Sequence, residues 1–340
     1  MKEIIRSYTD NKTPVHCAFL DASKAFDRVD HTKLFKKLLG RGVPNYLISI
    51  LANWYSTSEL TARWESSLSN TFGSTNGVRQ GSLLSPILFA LYVDDLSVSL
   101  GNERVGCIAG SMIVNHIFYA DDLVLLSPSV LGLRKLVSVC ENYALTHDML
   151  FNETKSVCIR FSKNNLKYQP GNIILNDREL DWRESTKYLG VIITWNLNDH
   201  FEIAAQTRNF YARANSICRT YKHCSIDLKL LLFETFCLNF YLIHLWFTYP
   251  NFVFNRFRVA INNMLRKFLG LPRFCSATEM FVFLRIDNID ARIRKLRAKF
   301  YHRICTSDNS IVNNFVHSYM FQSCPLIPLY ILIAEQTTAL

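Results

Sequence analysis

The hydrophobic pattern changes period once, near residue 200, and that change limits the fold more than any other feature of the chain. Before it, short β-branched or aromatic runs alternate with helical segments; the runs are Val15 to Leu20, Met112 to Tyr119, Leu123 to Leu126, Ser156 to Phe161 and Tyr188 to Thr194. After it, helical periodicity dominates. The pattern predicts an α+β domain followed by an all-helical one, with a hinge around Trp195 to His200. With 340 residues at 49% hydrophobic, the chain holds enough apolar material for one large domain or two ordinary ones with real cores, which excludes a disordered protein.

Charge divides along the same line. Residues 200–305 hold 17 Lys and Arg against 6 Asp and Glu, a net of +11, so this segment carries all of the excess in a chain of net charge +10. Arg256, Arg258, Arg266, Lys267 and Arg273 recur there at helix-like spacings, followed by Arg292, Arg294, Lys295, Arg297, Lys299 and Arg303. Basic amphipathic helices of this kind fit a nucleic-acid backbone, although long basic side chains also cover helix surfaces with no ligand at all.

The ten cysteines are scattered through apolar stretches with no Cys-x-x-Cys pair, and the N-terminus has no apolar run that could be a signal peptide. Reduced thiols in an intracellular protein, nuclear or cytoplasmic, are the expectation, with no disulfide partner. Cys218, His223, Cys224 and Cys237 lack the tight spacing of a zinc site. Thr235 to Phe254 is weakly charged but contains Asn239, His244 and Pro250, so a buried helix ending before Pro250 is expected rather than a membrane span. The apolar tail Pro325 to Ala334 is too short to span.

Chemistry-bearing residues fall at strand ends. Val15 to Leu20 runs straight into Asp21, where a carboxylate points into a crevice or caps the following helix. Met112 to Tyr119 and Leu123 to Leu126 read as a hairpin with Asp121 and Asp122 at its tip. Two like charges beside a buried edge repel unless a cation neutralises them, and hard oxygen ligands suit Mg²⁺. Between these segments lies Gly77-Val-Arg-Gln-Gly81-Ser-Leu-Leu-Ser85-Pro86. Here Ser85 is the expected N-cap and Pro86 the first residue of a helix to about Leu96, and the glycines allow close approach of a phosphate or nucleotide. Tyr92-Val-Asp94-Asp95 repeats the form of Tyr119-Ala-Asp121-Asp122, but it follows a Leu-rich helical run. Asp94 and Asp95 are therefore read as a solvated helix end, and the chemistry is assigned to the second pair.

The order FLDASKAFDRVDH, GVRQGSLLSPILF, FYADDLVLL resembles motifs A, B and C of the reverse transcriptases of non-LTR (LINE-type) retrotransposons. FNETKSVCIRF is similar to motif D, KYLGVIIT to motif E or the primer grip, and NNMLRKFLGLPRFCSATEMF to the thumb, so the likeness covers roughly residues 14–305. It implies a right-hand polymerase palm, a ferredoxin-like antiparallel sheet with packed helices, over residues 14–198. A helical basic thumb would occupy 199–305, with an N-terminal remnant at 1–13 and an unassigned tail at 306–340. The implied activity is RNA-directed DNA polymerase, moving nucleotides from dNTPs to a primer 3′-hydroxyl, with RNA template and DNA primer as partners and no membrane.

The same resemblance implies two Mg²⁺ ions, with Mn²⁺ as a substitute, held by Asp21 and Asp121 with Asp122 assisting. Ala22 lies in the turn that approaches the triphosphate. Phe26 stands where the family places a steric gate against a ribose 2′-hydroxyl, unless it is simply core. Arg79, Gln80 and Gly81 would contact the nucleotide and templating base, and Lys155 the triphosphate. Tyr188, Leu189 and Gly190 would pack the primer end, and Arg256, Arg258, Arg266, Lys267 and Arg273 would hold phosphates. Only about twenty residues precede Asp21, where the family carries its fingers region. Weak or absent polymerase activity is the expectation from that. The alternatives are a maturase-like RNA-binding protein on the same fold, or an unrelated metal-dependent phosphoryl-transfer enzyme.

Overall fold

Val15 to Leu20 is buried at every residue, as a strand must be when it is central in a sheet covered on both faces. The computed structural model describes residues 1–163 and 170–317. Strands β1 (Val15–Asp21), β2 (His116–Tyr119), β3 (Asp122–Ser127), β4 (Val157–Phe161) and β5 (Asp181–Trp182) form one sheet in the order β5-β4-β1-β3-β2. β1 pairs antiparallel with both β3 and β4, β2 pairs antiparallel with β3, and only the short β5 runs parallel to its neighbour. Strand order 4-1-3-2 with helices in the two crossovers is the ferredoxin-like arrangement.

Those helices are α2 (His31–Gly40), α3 (Asn45–Ser56), α4 (Ser85–Asn102) and α5 (Val130–His147). Asp30 caps α2 by accepting from Lys33 N at 2.8 Å, and Ser129 caps α5 by accepting from Gly132 N at 3.1 Å. Leu34, Leu38, Phe89, Tyr92, Leu96, Leu133, Leu136 and Cys140 pack with Ala18, Leu20, Leu123 and Leu125 in a single core. Residues 1–13 contain α1 (Lys2–Asp10), with Ile4 and Ile5 buried.

Several local expectations are corrected. Ser85 does not cap α4: it is the first helical residue, Leu84 is the cap, and the Ser85 hydroxyl donates to Arg79 O at 2.5 Å. α4 runs on to Asn102, so Asp94 and Asp95 lie in mid-helix, where Asp95 pairs with Lys37 at 2.7 Å and Asp94 with Arg41. The run Met112 to Tyr119 is broken at Asn115, whose buried amide donates to Leu100 O at 2.6 Å and Glu103 O at 3.2 Å. Tyr188 to Thr194 is not one strand but the end of a hairpin.

The described residues divide into two compact units, the second comprising residues 185–317 with residues 109–112 and Lys2. Its hairpin is β6 (Ser185–Tyr188) and β7 (Val191–Thr194), joined by a two-residue turn with Leu189 at φ 47 and Gly190 at φ 78. Both turn residues being left-handed matches the twist of a tight hairpin. Helices α6 (His200–Thr220), α7 (Ile226–Leu232), α8 (Asn251–Leu269), α9 (Ala277–Leu284), α10 (Ile289–Cys305) and α11 (Ser310–Val316) follow. Phe210, Phe233, Trp246, Phe257 and Leu265 form their core.

Thr235 to Phe254 is not the single buried helix expected. A π-helical turn at Phe233–Cys237 and a 3₁₀ turn at Ile243–Leu245 are separated by Leu242 at φ 51. The buried Asp199 carboxylate, accepting from Phe247 N at 2.8 Å and Thr248 N at 3.0 Å, satisfies the irregular backbone before α8 begins. Among the described residues no helix is long and apolar enough to cross a membrane. The apolar tail at 325–334 lies outside the described residues.

Candidate active site on the central strands

Asp21, the last residue of β1, is paired in register with Asp122, the first residue of β3, so two carboxylates from distant sequence stand side by side at one sheet edge. Tyr119 pairs with Asp122, which leaves Ala120 and Asp121 as the two-residue turn, Ala120 in the left-handed region at φ 52. A Cβ in that region is strained by about 1–2 kcal/mol, and the turn that bears it holds Asp121 out from the sheet. Burial raises the Asp122 carboxyl above its usual range, and the negative charges of Asp121 and Asp21 raise it further. Among the described residues no three His, Cys, Asp or Glu side chains are gathered so that they could hold a metal ion.

A cation already faces this cluster. Lys155 Nζ lies 3.8 Å from Asp21 Oδ2, with both side chains substantially exposed. The loop that carries it is stitched to the end of β1: Asn152 N donates to Asp21 O at 2.7 Å, and Asp21 N donates to Ser156 Oγ at 3.1 Å. Asn152 Oδ1 accepts from Thr154 N at 3.0 Å and Lys155 N at 3.2 Å, which fixes the turn. Beyond the strand, Ala22 bridges Phe151 and Ser23 N donates to Leu150 O at 2.8 Å. Asn152 and Ser156 were not singled out from the sequence; an Asn two residues before Thr154 is the turn signal that could have found them.

Phe26 is neither wholly core nor free. Its ring stacks on Phe89 of α4 at 4.7 Å and 18°, while the residue itself is half-buried. The Gly77 to Gly81 segment docks on the same turn: Val78 N donates to Phe26 O and Gly77 N to Val29 O, each at 2.8 Å. Gln80 donates to Asp27 Oδ1 at 3.1 Å. Arg79 donates to Ser58 Oγ at 2.6 Å with its guanidinium 5.1 Å from the centre of the Trp54 ring, and Gly81 sits at φ 82. Together with Asp27, Tyr55, Ser58 and Asn76, Arg79 and Gln80 line a cavity of about 380 Å³. Asp21 is thus set beside Asp122 in register and faces Lys155, whereas Arg79 and Gln80 bond to Ser58 and Asp27 rather than to those carboxylates.

Tyr188, Leu189 and Gly190 belong to the second unit, where the buried Glu202 of α6 accepts from Ile192 N at 2.8 Å and anchors their hairpin. The basic residues of α8 are unequal. Arg258 forms a two-pronged bond to Asp290 at 2.8 and 2.9 Å, and Arg266 donates to Cys275 O at 3.0 Å and Asn263 Oδ1 at 2.8 Å. Arg256 faces the Phe252 ring at 5.6 Å, and Arg273 lies past the end of the helix.

The first unit is thus a ferredoxin-like sheet that brings carboxylates together at the ends of its central strands, and a helical unit follows it in the chain. Residues 2–193 match the family described as reverse transcriptase (RNA-dependent DNA polymerase), and the chain belongs to that family. It is similar to the RNA-directed DNA polymerase from mobile element jockey of Drosophila funebris, at 25% identity over 86% of this chain and 32% of that protein. The Pol polyprotein from type-2 retrotransposable element R2DM of Drosophila melanogaster is 36% identical over 36% of this chain and 11% of its own length. Among solved structures, apo telomerase from Candida tropicalis aligns with a TM-score of 0.45 at 13% identity, covering 98% of this chain and 52% of that one. The chain spans about a third of the length of the relatives it matches over most of its sequence.

Proposed function

We propose that this chain carries the RNA-directed DNA polymerase centre of a non-LTR retrotransposon protein, and the observation that carries this is the register pairing of Asp21 with Asp122 beside Asp121. In chain order the palm is assigned to residues 14–198 and the thumb to 199–305, with the Glu202-anchored hairpin at the junction. The all-oxygen donor set and the raised Asp122 carboxyl fit a hard divalent cation, because a cation relieves the repulsion that raises it. Asp21 and Asp121, with Asp122 assisting, would hold two Mg²⁺ ions, for which Mn²⁺ could substitute. Bound there, the ions would lower the pKa of the primer 3′-hydroxyl and offset charge on the pyrophosphate that leaves.

In this reading the primer 3′-oxygen forms a bond to the α-phosphorus of a dNTP while the bond to the β-phosphate bridge breaks. Lys155, at the end of its Asn152-fixed turn, supplies a proton to the departing pyrophosphate. Ala22 lets the backbone approach the triphosphate. The Phe26 ring, held against Phe89, excludes a ribose 2′-hydroxyl. Arg79, Gln80 and Gly81 contact the nucleotide and the templating base, and Tyr188, Leu189 and Gly190 pack the primer end. RNA template and DNA primer are held through their phosphates by Arg256, Lys267 and Arg273, with Arg258 and Arg266 shaping that face through their internal bonds.

The test is extension of a DNA primer on an RNA template with dNTPs and Mg²⁺. Extension should fall by about a thousandfold or more in Asp121→Asn, since several kcal/mol of charge stabilisation is lost. A variant that extends as well as the parent chain would overturn the assignment.

A further inference from the structure

The basic residues of the helical unit are not equivalent, because many are already engaged. Besides Arg258 and Arg266, Arg292 pairs with Glu234 at 2.6 Å, Lys295 with Asp287 at 2.6 Å, and Arg297 donates to His244 O at 3.3 Å with its guanidinium 4.6 Å from the Phe247 ring centre. Five of the eleven regularly spaced cations visible in the sequence, Arg258, Arg266, Arg292, Lys295 and Arg297, are thus engaged within their own unit.

A different set remains. Where α6, α7 and α8 come together there is a cleft of about 390 Å³ whose walls carry Arg219, Lys222, Lys229 and Lys267 and no acidic residue. Among the described residues none of these four forms an ion pair, and the one side-chain hydrogen bond in the group is from Lys267 to Asn215 Oδ1 at 3.3 Å. Cys218 and Tyr221 complete the wall. Burial raises the half-buried Cys218 thiol, and the charges of Lys267 and Lys229, which line the same cleft, partly oppose that. Two helices end here, α6 at Thr220 and α8 at Leu269. A helix C-terminus carries roughly half a negative charge, so two of them offset about one of four full positive charges, and the cleft stays strongly cationic.

We infer that this cleft is a phosphodiester-binding site, occupied by the backbone of a polynucleotide strand with a sugar face against Tyr221. The inference rests on the polymerase reading above and extends its template or primer contact from Lys267 of the regular basic stripe to Arg219, Lys222 and Lys229, which lie outside that stripe. A strand that reaches into the cleft meets three lysines and one arginine with free donors, and phosphate contacts of this kind hold a strand without reading its sequence.

The test uses the full chain, a fluorescent single-stranded RNA and a salt titration. In Lys222→Gln/Lys229→Gln/Lys267→Gln the slope of log affinity against log salt should flatten by about 2, the loss of three phosphate contacts on a single strand. Lys295→Gln, whose ammonium is already on Asp287, should leave it unchanged. Independently, saturating RNA should slow alkylation of Cys218 in the parent chain, read by mass spectrometry, while inorganic pyrophosphate and dNTPs should not. An unchanged slope in the triple variant with Cys218 still alkylated at its free rate would remove the cleft and leave the polymerase reading standing. Protection by pyrophosphate as strong as by RNA would make the cleft a free-phosphate site and overturn the inference. Loss of Mg²⁺-dependent extension in Asp121→Asn, measured in parallel, reports on the polymerase centre alone.

Discussion

Gly77 shows how narrowly single residues set this architecture. It sits at φ 92, and a Cβ there would lie 3.0 Å from both Cα and O of Asp27. The side chain of any other residue would push the Gly77 to Gly81 segment off the turn that holds Phe26, in addition to the strain of a left-handed backbone. Gly77→Ala should therefore destabilise the first unit by about 1–3 kcal/mol, read by denaturant unfolding, and loosen the contact of Gln80 with Asp27. Unfolding at the parent midpoint would show that the segment gives way freely. At this scale the sequence was informative where chemistry and backbone needs coincide. The glycines and carboxylates were visible because few other roles suit them. Asn152 and Ser156 were not, because their work is to bond the backbone of Asp21, a partner more than a hundred positions away that no local pattern announces.

α4 illustrates the next scale. Its Tyr-x-Asp-Asp sequence matches that of the β2–β3 turn, yet the helix points Tyr92 into the core and leaves Asp94 and Asp95 at the surface, paired with Arg41, which caps the end of α2, and Lys37 of α2. The same Tyr-x-Asp-Asp pattern gives a salt-bridged helix face in one place and a carboxylate cluster in the other, because only a tight turn presents adjacent residues at the ends of central strands. Asp95→Asn should leave primer extension within about twofold of the parent and cost at most about 1 kcal/mol, the worth of an exposed ion pair. Loss of extension comparable to that of Asp121→Asn would mean the wrong pair has been chosen. Elements whose period was clear, such as β1, β3 and α8, were legible from the sequence. Thr235 to Phe254 was not, since a run of apolar residues cannot reveal that Leu242 turns left-handed or that Asp199 will satisfy the exposed amides.

Across the whole molecule, each unit buries one uncharged histidine. Burial, with Arg160 nearby, lowers His16 to about 4, and burial, with Arg303 and Arg297 nearby, lowers His244 to about 4. Among the described residues His16 Nδ1 and His244 Nε2 have no hydrogen-bond partner that could favour the protonated ring. Both folded values lie below the 6.5 of a free histidine, so the unfolded chain takes up protons first as the pH falls. The stability they contribute is complete above about pH 6.5 and is lost on the way down to about pH 4. Each histidine should remove about 2 kcal/mol between pH 7 and pH 5. Calorimetry should therefore show both units melting at lower temperature at pH 5, and histidine proton resonances of His16 and His244 titrating near pH 6.5 would contradict this.

The central position of β1 has a further consequence during synthesis. Its two sheet neighbours, β3 and β4, are encoded more than a hundred residues downstream, and chains are made at roughly 5–20 residues per second. For roughly 5–20 seconds after Leu20 leaves the ribosome, a fully apolar strand therefore has no sheet neighbour on either side. Folding of this unit is obliged to wait for its C-terminal third, and a chaperone that shields Val15 to Leu20 over that interval would raise the yield of folded protein far more than one recruited after release.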